Sequence, residues 1–234
     1  MSWCFKKNAE TFGIDSIDFH MILDEVRSQL PEFERGVAAV AQEVGDHKPC
    51  EMIYMSVLRQ LVRYEALGAC HKYSAILYLL LAEFEARLSA EAAQEVSLRI
   101  GVVSSRYGGR FDHSWVQYGP FVYDPTVCLP SEEGGKTDGP VFASHDLLTG
   151  QYVDLLYTEL AAEPLDEVAH RVAGWSLEDY SDHIAQEGIP SLWEIAVEIG
   201  AQIGFPLNAD ILRAKYGATR RTHAEATVVH REQA

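Results

Sequence analysis

Apolar positions recur along this chain first with a helical period, then with a period of two, then with a helical period again. Ile22, Leu23, Val26 and Leu30 form one stripe, so a helix capped by Asp15 or Ser16 is expected to run to about Leu30. Pro31 suits the first turn of a second helix. On it Phe33, Val37, Val40, Ala41 and Val44 face one way, and Gly45 is the stop. Residues 1–14 carry no period and read as an arm, and 46–49 as a turn. A third helix over about 50–66 points Ile53, Val57, Leu58, Leu61 and Val62 inward and ends at Gly68. A fourth opens at Cys70 and runs to about Ser89. Ala75, Ile76, Leu79, Leu80 and Phe84 make one face, and Leu77, Leu81 and Leu88 widen it, which marks a central, buried helix.

The period then changes. Val96, Leu98, Ile100 and Val102 alternate with Ser97, Arg99, Gly101 and Val103, the pattern of a strand. A turn over 104–110 leads to a second strand over about 111–118. Gly119-Pro120 is a tight turn, and a third strand, Phe121-Val122-Tyr123, runs into Asp124-Pro125-Thr126. Residues 129–140 read as a surface loop or as a flap beside a site. Residues 141–217 read as helical, with a segment starting at Glu163-Pro164, capping patterns at Ser176 and Ser191, and Asn208 capping a last helix that ends at Gly217. Residues 218–234 are polar and aperiodic, the signature of a disordered tail. Helices first and antiparallel strands after predict an α+β fold.

Composition narrows the function. The 234 residues are 47% hydrophobic, enough for one large domain or two small ones with a sizeable core. A net charge of −16 argues against nucleic acid and anionic membrane surfaces. No apolar run is long enough to span a membrane. The start, Met1-Ser2-Trp3-Cys4-Phe5-Lys6-Lys7-Asn8, lacks the apolar region of a secretory leader. Cys4, Cys50, Cys70 and Cys128 show no CxxC spacing, which predicts free thiols in a reducing compartment. A cytoplasmic protein is expected, with signal-less export left open. No HExxH, no G-x-G-x-x-G after a strand and no G-x-x-x-x-G-K-[ST] occurs, so no metal and no cofactor is expected. The expected partner is a protein or peptide substrate, with the helical regions available to a partner protein.

The candidate chemistry centres on Cys70. A thiol at a helix N-terminus feels unpaired backbone N–H groups and the positive end of the macrodipole, which favour thiolate. If Gly119-Pro120 turns a hairpin that pairs Tyr118 with Phe121, Trp115 lies opposite Asp124. His113 is then diagonally across from Asp124 on the same face. A carboxylate beside an imidazole fixes its tautomer and stabilises its charged form. Cys70 would supply the nucleophile, His113 the base and Asp124 the orienter. Trp115 is placed to shield the pair from water or to pack the sheet. The backbone N–H of Cys70 is one oxyanion donor, and Gln60 and Tyr64 are candidates for a second.

Gly68-Ala69-Cys70 before an apolar helix, then His113-Ser114-Trp115-Val116, then Tyr123-Asp124-Pro125-Thr126, resembles the transglutaminase-like cysteine superfamily over about residues 50–130. The resemblance implies a papain-like core, a central helix packed on a small antiparallel sheet, with Cys70, His113 and Asp124 as the triad. The chain departs from the family pattern where a tryptophan often precedes the D-P-T, since Phe121-Val122-Tyr123 stands there. The implied organisation is an N-terminal helical region over 1–49 and a catalytic core over 50–140. A C-terminal helical region over 141–217 packs on that core, and a tail over 218–234 follows. The implied activity forms a thioester on Cys70 from an amide or peptide, resolved by water (protease, amidase or deamidase) or by an amine (acyl transfer). The alternative is a non-catalytic protein-interaction module on the same fold.

Overall fold

Two helices that Pro31 was expected to separate are one. In the computed structural model, which describes residues 16–45, 48–64, 69–88, 93–104, 110–128, 139–153, 157 and 164–223, helix α1 spans Ser16–Val44 with the proline inside it. The expected arm over 1–14, the stop at Gly68 and the segment start at Glu163 lie outside these residues, as does most of the 129–140 loop. Leu23, Val26, Phe33, Val37, Val40 and Ala41 of α1 are buried. With half-buried Leu30 between Val26 and Phe33, their helical spacing carries across Pro31, so one stripe serves both sides of the proline. A proline in a helix interior costs about 3 kcal/mol. Burying Phe33 and Val37 beyond it returns roughly 1.5–3 kcal/mol each. Gly45 follows with φ 71°, the left-handed stop a glycine supplies without strain.

Helix α2, Lys48–Arg63, packs on α1, and α3, Cys70–Glu85, packs on α2. Along α3, Tyr73 through Leu81 are buried without a break, the all-round burial of a central helix. It also contacts β1 (Val96–Ser104) and β2 (Arg110–Tyr118). These two strands pair antiparallel from Val96 with Tyr118 to Ser104 with Arg110. The hairpin to β3, Phe121–Tyr123, has the expected register, Tyr118 with Phe121 and Val116 with Tyr123. Gly119 takes φ 55° at its turn.

Two expectations fail here. The sheet is mixed rather than antiparallel. Strand β6, Thr222–His223, pairs in parallel with β1 (Arg99 with Thr222), giving the order β3-β2-β1-β6. The first residues of the expected tail therefore belong to the fold. The start of the expected C-terminal helical region is a second small sheet, β4 (Val141–Phe142) and β5 (His145–Asp146). Its turn holds Ala143 at φ 46° and Ser144 at φ 60°. Two left-handed residues in succession are the geometry usually given to Asn-Gly. Ser144 secures it: its Oγ accepts from the Val122 N–H at 2.9 Å, and its own N–H donates to the Val122 carbonyl at 2.8 Å.

Helix α4 is Glu167–Gly174, with Asp166 as a cap that the sequence reading had not named. The later helices keep their expected caps. Helices α5 (Leu177–Gln186) and α6 (Leu192–Gln202) open on capping boxes at Ser176 and Ser191, and α7 (Ala209–Tyr216) on Asn208. Seven helices and a small mixed sheet among the described residues make the fold α+β. Strand alternation divides the interior. Leu98, Val116 and Tyr118 join the large core around α3. Val103, Trp115 and Val122 face a smaller cluster with Val127, Val141, Val153 and Tyr157. No helix among the described residues is long and apolar enough to cross a membrane.

Candidate active site

The start of α3 is fixed against β2. Its N-cap, Ala69, has no side chain with which to bind the first-turn N–H groups. Ser74 stiffens the turn by donating its hydroxyl to the Cys70 carbonyl at 2.6 Å. His71 Nδ1 lies 2.7 Å from Ser114 Oγ, which sets the helix end level with the middle of β2. Cys70 is 9% exposed. The imidazoles of His71 and His113 both act on its thiol.

His113 is buried, with the Phe111 ring edge-on at 5.3 Å. Its Nε2 meets Asp124 Oδ2 at 2.6 Å. With Nε2 spent on the carboxylate, Nδ1 is the nitrogen left for another partner. Asp124 is held from every side. Its Oδ1 accepts from the N–H of Thr126 (2.8 Å), the hydroxyl of Thr126 (2.7 Å) and the N–H of Val127 (3.2 Å). Its Oδ2 also accepts from the Tyr157 hydroxyl at 2.9 Å. Its backbone is paired in both directions with Val141, and its carbonyl accepts the Tyr54 hydroxyl at 3.3 Å.

The electrostatics follow from these contacts. Burial by itself would raise the Cys70 thiol, but His71 and His113 outweigh it and hold the thiol well below its ordinary value. Burial opposes charge on His113, yet Asp124 and Cys70 push its pKa up to about 10. Burial likewise works against the Asp124 anion, and His113 with the Thr126 donors brings its carboxyl below the usual range. The combination favours a thiolate–imidazolium pair backed by a carboxylate. A group so arranged can attack an acyl carbon and return a proton to a leaving group.

Of the residues singled out in the sequence, the structure brings Cys70, His113 and Asp124 together. Trp115 is buried with its ring tilted against Tyr157 at 5.3 Å, so one side of the carboxylate's donor is walled by an indole. Gln60 is buried on α2, its carbonyl accepting the Tyr73 hydroxyl at 3.5 Å. Tyr64 follows α2 and is 51% exposed, with the Arg63 guanidinium 5.7 Å from its ring centre. Three contributors had escaped the sequence reading. His71 is visible there only as the neighbour of Cys70. Thr126 is inside the quoted D-P-T, and its place two residues after an aspartate is the signal for a turn that binds the carboxylate. Tyr157 carries no local signal at all. Among the described residues no group of three His, Cys, Asp or Glu side chains could hold a metal ion. No family model, no curated protein and no solved structure matches the chain.

Proposed function

We propose that this protein is a transglutaminase-like cysteine enzyme with a papain-like core, acting on an amide or peptide through an acyl-enzyme on Cys70. The observation that carries the reading is the buried pair of His113 and Asp124 at 2.6 Å, with His113 on β2, the strand against which α3 packs with Cys70 in its first turn. The Cys70 thiolate attacks the substrate carbonyl carbon, and the oxyanion forms at the uncapped end of α3, where the Cys70 N–H is the nearest backbone donor. The C–N bond breaks as the His113 imidazolium gives its proton to the leaving amine. A thioester remains. Water or an amine then attacks it, His113 takes the proton from that nucleophile, and the Cys70 thiolate departs. Asp124 keeps the imidazole oriented and offsets its charge throughout. Gln60, being buried, is the side-chain candidate for a second oxyanion donor, and Tyr64, facing solvent, is the weaker one. The chemistry suits a reducing compartment such as the cytoplasm, where a thiolate is spared oxidation.

The test is the pH dependence of Cys70 alkylation by iodoacetamide, read by mass spectrometry in wild type and in His113→Ala. The proposal expects labelling at pH 6 that is fast in wild type and slow in the variant. Labelling of Cys70 that tracks an ordinary thiol in both proteins would overturn it and leave the interaction-module reading.

A further inference from the structure

One buried charge has no part in those steps. Arg221, immediately before β6, is 5% exposed. Its Nη2 donates to the carbonyl of His71 at 2.7 Å. The guanidinium thus sits at the first turn of α3, beside the residue that follows the nucleophile. Its carbon lies 4.7 Å from the centre of the Tyr180 ring. Its Nε and Nη1 are buried and have no hydrogen-bond partner among the described residues. Burial presses this guanidinium toward neutrality, and the groups that act against it are Tyr180 and Cys70 rather than a carboxylate.

Such an arrangement is expensive for a fold. Arginine does not give up its proton in proteins. The Cys70 thiolate, itself paired with the His113 imidazolium, answers this charge only in part, and buried donors without acceptors destabilise as well. A carboxylate removes both penalties at once, because it accepts N–H groups from the planar guanidinium and cancels the charge. One guanidinium suits a monoanion. A dianionic phosphate in the same place would leave a negative charge uncompensated beside the thiolate.

We propose that Arg221 is a substrate-recognition residue that takes a carboxylate on the acyl substrate, close to the carbonyl that Cys70 attacks. This rests on the acyl-enzyme reading above. It narrows the substrate to acyl compounds with an anionic group near the scissile bond, supplied by an acidic side chain or by a free chain-end carboxylate. Arg221 is then selected against neutral analogues, whose approach leaves its donors unmet.

The test compares iodoacetate with iodoacetamide, two reagents that differ by a carboxylate for an amide. Alkylation rates at Cys70 are read by mass spectrometry in the full chain, in wild type, Arg221→Gln and Arg221→Lys. We expect the ratio of the iodoacetate rate to the iodoacetamide rate to fall at least ten-fold in Arg221→Gln and by a smaller factor in Arg221→Lys. A residue that only sustains the thiolate or the helix end would lower both rates together, and an unchanged ratio would overturn the proposal. In the wild type, acetyl-glutamate amide against acetyl-glutamine amide, and acetyl-alanine against its amide, are compared for protection of Cys70 from iodoacetamide. Protection by the first carboxylate supports an acidic side chain, and by the second a chain end. This arm also decides the matter if Arg221→Gln does not fold, since protection by neither carboxylate overturns the proposal. Wild-type Cys70 labelled by both reagents no faster than Cys50 and Cys128 would instead overturn the acyl-enzyme reading, and this inference with it.

Discussion

Cys70 and Cys128 are both buried thiols, neither in a disulfide, and their surroundings drive them in opposite directions. Around Cys128, burial raises the thiol pKa, and the carboxylates of Asp124 and Asp146 push the same way. Its Sγ donates to the Pro125 carbonyl at 3.5 Å, as a protonated core thiol does. Around Cys70, burial is the same obstacle, but the neighbours are His71 and His113. The sign of the nearby charge, not the depth of burial, separates a thiol fit to act as a nucleophile from a core thiol. Asp124 acts on both regions: it sustains the imidazolium that favours one thiolate, and it repels the other.

The comparison breaks most sharply by deletion. Cys70→Ala should abolish turnover, a loss beyond about 10³-fold, while Cys128→Ala should keep turnover and cost on the order of 1 kcal/mol in stability. Activity and urea midpoints on the two variants check this. Asp124→Asn should come next, lowering turnover by roughly 10²- to 10⁴-fold while Cys70 is still alkylated. This variant also has a pH signature in stability. Asp124, with its folded pKa depressed, stabilises above its unfolded value of about 3.9, and that contribution is lost as pH falls through the folded value. His113, with its folded pKa raised to about 10, stabilises fully below its unfolded value, and the contribution is lost as pH rises through about 10. The difference between wild type and Asp124→Asn in urea midpoint should therefore be widest at intermediate pH and narrow at both ends.

His113→Ala should slow Cys70 alkylation at pH 6, by up to about 10²-fold, because one of the two imidazoles that hold the thiol low is gone while His71 remains, and the two proteins should converge near pH 10. Cys128, which has no imidazole to lose, should label slowly in both. Among the variants around His113 and Asp124, the smallest effect belongs to Tyr157→Phe. It removes one donor from Asp124 and leaves four, so a loss of about 1–2 kcal/mol and turnover within about ten-fold of wild type are expected. Thermal melts and steady-state rates measure both.

The site was more legible in the sequence than its supports. The Gly119-Pro120 turn fixed the register of β2 and β3, and with it the face shared by His113 and Asp124, because strand pairing repeats every two residues. Caps were equally readable, since Ser176, Ser191 and Asn208 act on N–H groups within their own first turns. Pro31 misled because its local meaning, a helix start, was overridden by a stripe that runs on through Phe33 and Val37. The β4–β5 hairpin was hidden because its turn is Ala143-Ser144, with no Gly or Asn to announce left-handed backbone. Tyr157 reaches Asp124 from 33 positions away, and Arg221 reaches His71 from 150. Contacts of that range depend on the whole fold and leave no periodic mark in the chain.

The shortness of β6 has a consequence for the dynamics of the site. Thr222 and His223 are exposed, and two residue pairs join them to β1. So small a pairing belongs to the part of a protein that opens first in native-state hydrogen exchange, well before the core around α3. Such an opening would carry Arg221 away from the first turn of α3 without unfolding the protein. An anion that binds Arg221 would then be felt as slower amide exchange at Thr222 and His223, by the same free energy with which the closed edge holds the anion.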